Sequence, residues 1–277
     1  MFYLVCAILS SSLIAILTKI SKKYTENEMS ILLVNYIICI LFSVFYTGSF
    51  RFIPKDSSFI SMLFMSIFNG FLYLAGFYFY RKNIEWNGVI LSSTFMKLGI
   101  IVPTALSIFV FHEIPTVSQV LGLCLSILCI IFLQYRKDDS TISKPFFLVL
   151  LLLMGGGGDA MSKVFERVGN VNYQNDFLLY TFLFAGILCL FLMISSKEKI
   201  KKEDILFGVL IGIPNYYSAR FLLLAIYYLP AIFVYPSYSI LTILTVSVAG
   251  FLLFKEKLSK RQILSFVGII ISIFLLT

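Results

Sequence analysis

The chain predicts an all-α integral membrane protein with ten transmembrane helices arranged as two inverted five-helix repeats. Composition is the first reason: 60% of the 277 residues are hydrophobic, 13% are charged, and mean hydropathy is +0.96. A soluble domain is roughly 45–50% apolar and about 25% charged. The second is patterning. Apolar residues fall into ten blocks, at 2–20, 30–47, 58–80, 88–111, 117–135, 145–165, 177–195, 205–228, 230–254 and 261–277. These blocks are close to the ~20 residues a helix needs to cross a bilayer. Helices satisfy their own backbone groups in lipid, and the ~10-residue alternation of a membrane barrel is absent. The third is internal similarity. "LTKIS" (Leu17–Ser21) matches "MSKVF" (Met161–Phe165), and "FHEIPTVSQVLG" (Phe111–Gly122) matches "FKEKLSKRQILS" (Phe254–Ser265).

The two matches lie at offsets of 144 and 143 residues, so residues 1–137 and 145–277 read as two repeats within a single transmembrane domain. An odd number of spans per repeat turns the second over in the membrane, a plan that recurs in secondary transporters. Charged or turn-forming connectors separate most blocks; the weakest boundary is Leu229–Pro230. The connectors are too short for an extramembrane domain. The N-terminal block follows Met1 without a basic leader or a small-residue cleavage site, and reads as a retained first span.

Several functional classes are excluded. The net charge of +8 is spread over short connectors, where lysines and arginines reach lipid headgroups, so no nucleic acid is expected as partner. The five cysteines lie in apolar blocks without a C-x-x-C pair, and read as small buried hydrophobes. His112 is the only histidine, so neither a metal set nor a cofactor is expected. "GGGGD" (Gly155–Asp159) has neither the Walker spacing nor the dinucleotide fingerprint, and reads as a place of close helix approach or a broken segment lining a cavity. With few buried acids and no catalytic cluster, an enzyme is not expected.

Charges inside spans are costly and mark function by default. Lys97 is central in the fourth block, Arg220 is deep in the eighth, and Asp159 follows the glycines of the sixth. Lys19 and Lys163 lie near block ends, where they can snorkel; Glu113 and Glu256 read as helix-end structural residues. Lys97 shares a helical face with Ser93 and Thr104. The third block carries Asn69, Tyr73, Gly76 and Tyr80 on one face. The eighth carries Asn215, Tyr216, Tyr217 and Arg220; the ninth carries Tyr235, Tyr238, Ser239, Thr242 and Thr245. We expect Lys97 and Arg220 to contact an anion, with Asn69, Tyr73, Tyr80, Asn215, Tyr216, Tyr238 and Ser239 as lining. Asp159 is expected as a charge partner of Lys97 or Arg220, or as a coupling proton or cation site. Pro103 and Pro236 free carbonyls within these spans and Pro214 begins the polar part of the eighth, which fits bent helices beside a wet cavity.

The run "AIYYLPAIFVYPSYSILTILTVSVAGFLLFKEKLSKRQILSFVGIIISIFLL" resembles the drug/metabolite transporter superfamily, in particular its ten-span EamA-like members. The shared pattern is an Ala-Leu-x-Tyr helix end, a proline-bearing span, Gly-Glu, a short linker and a Gln-to-Gly final helix. "FHEIPTVSQVLGLCLSILCIIFL" repeats its last part. The chain departs from the pattern in three places: His112 and Lys255 stand where the glycine usually precedes the glutamate, and Lys82–Glu85 replaces the first Ala-Leu-x-Tyr element. The resemblance implies a gradient- or exchange-driven carrier whose third, fourth, eighth and ninth spans line a central cavity. Related small multidrug exporters place a glutamate eight residues before a lysine of the first span; Ser11 and Gly155 occupy those positions here. Two central cations against one acid then favour an anionic or zwitterionic metabolite, such as an amino acid, organic acid or organic phosphate. Export of amphipathic drugs or cationic metabolites is the alternative, and a non-transporting accessory protein the third reading. A multi-pass protein of a bacterial plasma membrane is expected. Orientation stays open, because the lysine- and arginine-rich connectors place both termini outside and the resemblance places them inside. Import or export, coupling ion and oligomeric state also stay open.

Overall fold

The computed structural model describes residues 1–25, 27–48, 56–134, 144–196, 200–254 and 260–277. These form α1 (Phe2–Ser21), α2 (Glu28–Thr47), α3 (Ser57–Leu98), α4 (Ile101–Phe109), α5 (Val117–Gln134), α6 (Pro145–Val168), α7 (Gln174–Ser196), α8 (Lys202–Tyr228), α9 (Ala231–Phe254) and α10 (Lys260–Leu276). A single 3-10 turn, Val171–Tyr173, precedes α7. Among the described residues, eight helical segments are long and apolar enough to cross a membrane, and Val117–Leu133 and Gln262–Leu276 are shorter apolar helices. The protein is an all-helical, ten-span membrane protein.

α3 is two helices joined at Gly88, whose φ of 78° and ψ of 164° suit a residue without Cβ. The third span therefore ends at Gly88, and the fourth is Leu91–Phe109. The sequence places a connector at residues 81–87, whereas helix continues through it. Polar residues there support the extra turns. Lys82 and Glu85 pair at 3.0 Å, and Asn83 Nδ2 donates to the carbonyls of Phe79 (2.8 Å) and Phe147 (2.9 Å). Trp86 packs edge-on to Phe147 at 4.7 Å and lies 4.1 Å beneath the Lys144 ammonium. At the boundary before Pro230, the missing charge is offset by capping: the Pro230 carbonyl accepts from Phe233 and Val234 N–H, both at 3.0 Å.

The chain divides into two compact units. The first comprises Met1–Leu74 and Val164–Ala225; the second comprises Ala75–Lys163 and Ile226–Thr277. In the first unit, α2 lies against α7 and also packs alongside α8. Gly208 and Gly212 let α8 approach Val34 and Ile38 so closely that a Cβ on either glycine would come within 2.4 and 2.7 Å of those side chains. Small residues one turn apart are what let membrane helices pack without a hydrophobic drive. α3 packs in the same parallel sense against α7, where Ser66 Oγ donates to the Phe177 carbonyl (3.2 Å) and Asn69 Nδ2 to Thr181 Oγ1 (3.3 Å). In the second unit, α5 and α10 form the main pair, with Gly122 against Ser272 and Leu275 and Gly268 against Cys129. Leu98, Ile100, Ile130, Ile240 and Ile269 form its apolar core.

Candidate functional site

In the second unit the fourth span is broken at its middle. Helix gives way at Gly99–Ile100, where Ile100 and Val102 N–H reach only three residues back, to the Lys97 and Gly99 carbonyls (3.5 and 2.9 Å). Pro103 explains the tightening: it has no N–H to give Gly99, so the Val102 N–H takes that carbonyl instead. Lys97 stands two residues before Gly99, in the last turn of the preceding helix.

The glycine run of α6 faces the same point. A Cβ on Gly156 would fall 2.0 Å from the Gly99 carbonyl oxygen, and Gly155 lies against Gly76. The two backbones touch, which fixes α6 against the fourth span beside the helix break. Lys97 and Asp159 are each other's electrostatic partners. Tyr235 of α9 is buried and donates its hydroxyl to the Asp159 backbone carbonyl (2.8 Å), which ties this turn of α6 to α9.

The other expected cation lies in the first unit. Arg220 Nη1 donates to Asn175 Oδ1 (2.8 Å) and to the Tyr216 hydroxyl (3.1 Å). Its guanidinium carbon sits 3.9 Å from the centre of the Tyr46 ring, a cation–π stack. The Tyr46 and Tyr217 hydroxyls are 3.3 Å apart. Tyr46 ends α2 and Asn175 begins α7, so Arg220 acts near one end of these spans rather than halfway along them.

The remaining sequence-predicted residues are distributed as follows. Asn215 Nδ2 donates to Asn35 Oδ1 (3.1 Å), and Asn69 is buried against Thr181. Tyr73 meets Phe182 edge-on at 5.9 Å. Tyr216 is fully buried and belongs to the Arg220 cluster. Tyr80 and Tyr238 are partly covered, and Ser239 is buried. In the first unit the structure thus gathers Arg220 and Tyr216; in the second it gathers Lys97 and Asp159. Lys19 is exposed, as a snorkelling residue should be. Lys163 departs from that expectation: it is buried and bonded to Glu113. Glu256 lies outside the described residues.

Sequence reasoning missed Tyr46, Asn175 and Tyr235 as partners. A signal for the first was present: Asn35, Cys39, Phe42 and Tyr46 recur at spacings of 4, 3 and 4, the same stripe that singled out the third block. Asn175 carried none, because it sits in a connector and acquires its role only through folding.

Two segments of the chain, residues 1–135 and 144–277, each match the EamA-like transporter family. The chain belongs to this family, within the drug/metabolite transporter superfamily, and is a membrane transporter of that type. It is 24% identical over 286 residues to an uncharacterized protein of Haemophilus influenzae, covering 99% of this chain and 95% of the relative. It also resembles a protein of known crystal structure with a TM-score of 0.74 at 14% identity, covering 100% of this chain and 95% of that one, a likeness of fold.

Proposed function

We propose that the protein is a secondary active carrier that moves a small anionic or zwitterionic metabolite, such as an amino acid or an organic acid, by alternating access. Arg220 carries the reading of charge. A cation within a membrane helix is expensive, and this one is held by an amide, a phenol and an aromatic face, all neutral, so its positive charge is left for a solute. In the second unit, Lys97 is balanced by Asp159, which makes the pair suited to binding or to coupling a proton or cation.

Pairing within the first unit supports descent from two inverted repeats. The parallel contacts of α2 with α8 (Val34 with Gly208, Ile38 with Gly212) and of α3 with α7 (Ser66 with Phe177, Asn69 with Thr181) exchange with one another at an offset of about 143 residues, within a residue. A bacterial plasma-membrane location is part of the same reading, and the Haemophilus relative supports it.

The test is uptake by proteoliposomes containing the purified chain, over a panel of labelled amino acids, organic acids, organic phosphates and lipophilic cations. Saturable accumulation of an acid or amino acid, lost in Arg220→Gln, is expected. Transport of lipophilic cations alone would select the drug-export reading. No transport of any solute would point to an accessory role.

A further inference from the structure

Arg220 is committed on one edge and open on the other. A guanidinium has five N–H groups in a planar fork. Both N–H groups of Nη1 have acceptors, Asn175 Oδ1 and the Tyr216 hydroxyl. Among the described residues, nothing accepts from Nη2 or Nε and no carboxylate forms an ion pair with Arg220. The Nε–Nη2 edge is the one whose two parallel N–H groups match two oxygens of one carboxylate. Tyr46 beneath the plane and Asn175 at the far edge fix its orientation, so little side-chain freedom remains to be lost on binding.

The surroundings restrict the anion further. Among the described residues the cage is a single cation among electron-rich rings, with Tyr46 under the guanidinium and Tyr216 stacked on Tyr46 at 5.7 Å. A dianionic phosphate would bring a second negative charge that no second cation among these residues meets, whereas a carboxylate is matched by one. From Tyr217, ring stacking continues to Phe221 (5.6 Å) and Tyr3 (6.2 Å), all partly covered. That ladder is an apolar, flat wall beside a charged seat.

We infer that the open edge of Arg220 seats the carboxylate of a singly charged organic acid whose apolar or aromatic body lies against the Tyr217–Phe221–Tyr3 wall. This rests on the carrier reading only in calling that acid the transported solute; the seat itself is a binding property.

The test is isothermal titration of the full chain in detergent with three probes of one body: 3-phenylpropionate, its neutral amide, and 2-phenylethylphosphonate at a pH where it is dianionic. We expect the acid to bind at least tenfold more tightly than either analogue. Arg220→Lys keeps the charge but loses the fork, and should weaken the acid at least tenfold. Equal binding of amide and acid, tighter binding of the phosphonate, an unchanged Arg220→Lys, or no binding of the acid at all would each overturn the seat. A lipid headgroup is the competing occupant: phosphatidylglycerol in mixed micelles that displaces the acid from wild type, while binding more tightly and with the same Arg220 dependence, also overturns it. The acid-against-amide comparison uses wild-type protein alone, so misfolding of the variant leaves the result decisive. Binding without flux in proteoliposomes would remove the carrier reading and keep the seat. Flux of another solute without binding of the acid would do the reverse.

Discussion

Lys163 Nζ and Glu113 Oε1 lie 2.8 Å apart, with their side chains only 2% and 12% exposed. The pair ties α6 to the segment that follows α4. It turns two residues that read as separate membrane-edge anchors into a single buried contact. Removing one partner of such a pair leaves an uncompensated buried charge, at a cost of about 3–5 kcal/mol, whereas replacing both by apolar groups of similar volume is often neutral. Lys163→Met alone should therefore lower the thermal unfolding midpoint in detergent sharply, and Lys163→Met with Glu113→Leu should recover most of the loss. Additive loss in the double variant would show that the two side chains do not act as a pair.

His112 aims that glutamate. It is the one described non-glycine residue with positive φ, at 55°. The turn it makes sends the Glu113 N–H back to the Ser107 carbonyl at 2.9 Å. The family pattern has glycine at this position, and the backbone supplies the reason. A left-handed conformation costs an L-residue roughly 1–2 kcal/mol, least for short polar or imidazole side chains and most for β-branched ones. His112→Val should destabilise by more than about 1 kcal/mol, while His112→Gly should be neutral or slightly stabilising, as read by the same unfolding midpoint. A valine variant as stable as wild type would remove the strain argument.

The glycine run separates in the same way. On Gly156 a Cβ meets backbone, the Gly99 carbonyl at 2.0 Å; on Gly155 it meets the flexible Met96 thioether at 2.6 Å. Backbone cannot move aside without shifting a helix, whereas a methionine can repack. Gly156→Ala should cost more than the roughly 1–3 kcal/mol typical of overpacking and should depress transport, while Gly155→Ala should retain most of both. Equal effects of the two substitutions would mean that α6 and the fourth span are not held in backbone contact.

Much of this was legible in the sequence, and what was hidden has physical causes. Ten spans follow from block length and hydropathy, because lipid admits few other backbones. For Asp159 the sequence offers Lys97, Arg220 or a coupling role, and the backbone contact of Gly156 with Gly99 beside Lys97 is one that helical periodicity does not encode. Arg220 was found by its cost in a span, but its partners were not: Tyr46 and Asn175 are 174 and 45 residues away in sequence and belong to other helices. Residues 81–87 read as a connector because they are charged and polar, yet helix runs through them to Gly88, supported by the Lys82–Glu85 pair and the Asn83 side chain. Lys163 reads as snorkelling from its place near a block end, and burial depends on what packs over that end, here Glu113.

Lys97 and Asp159 leave a choice that paired substitutions resolve. If Lys97 serves chiefly to neutralise Asp159, then Lys97→Gln leaves a bare carboxylate beside a helix break and should impair both stability and transport. Lys97→Gln with Asp159→Asn then removes the orphaned charge and should restore both. If Lys97 instead contacts the solute, the double variant should regain stability, because no buried charge is left unpaired, but should remain inactive in proteoliposomes. Thermal unfolding of the single and double variants reports the pairing, and uptake reports the binding, so the two roles separate in one set of proteins. The broken helix favours the second outcome. Gly99 and Ile100 interrupt the span from two residues after Lys97, and in lipid such an interruption is tolerated where it is buried in protein or lines a water-filled cavity. We therefore expect stability without transport in the double variant, and recovery of full uptake there would reduce Lys97 to a partner of Asp159.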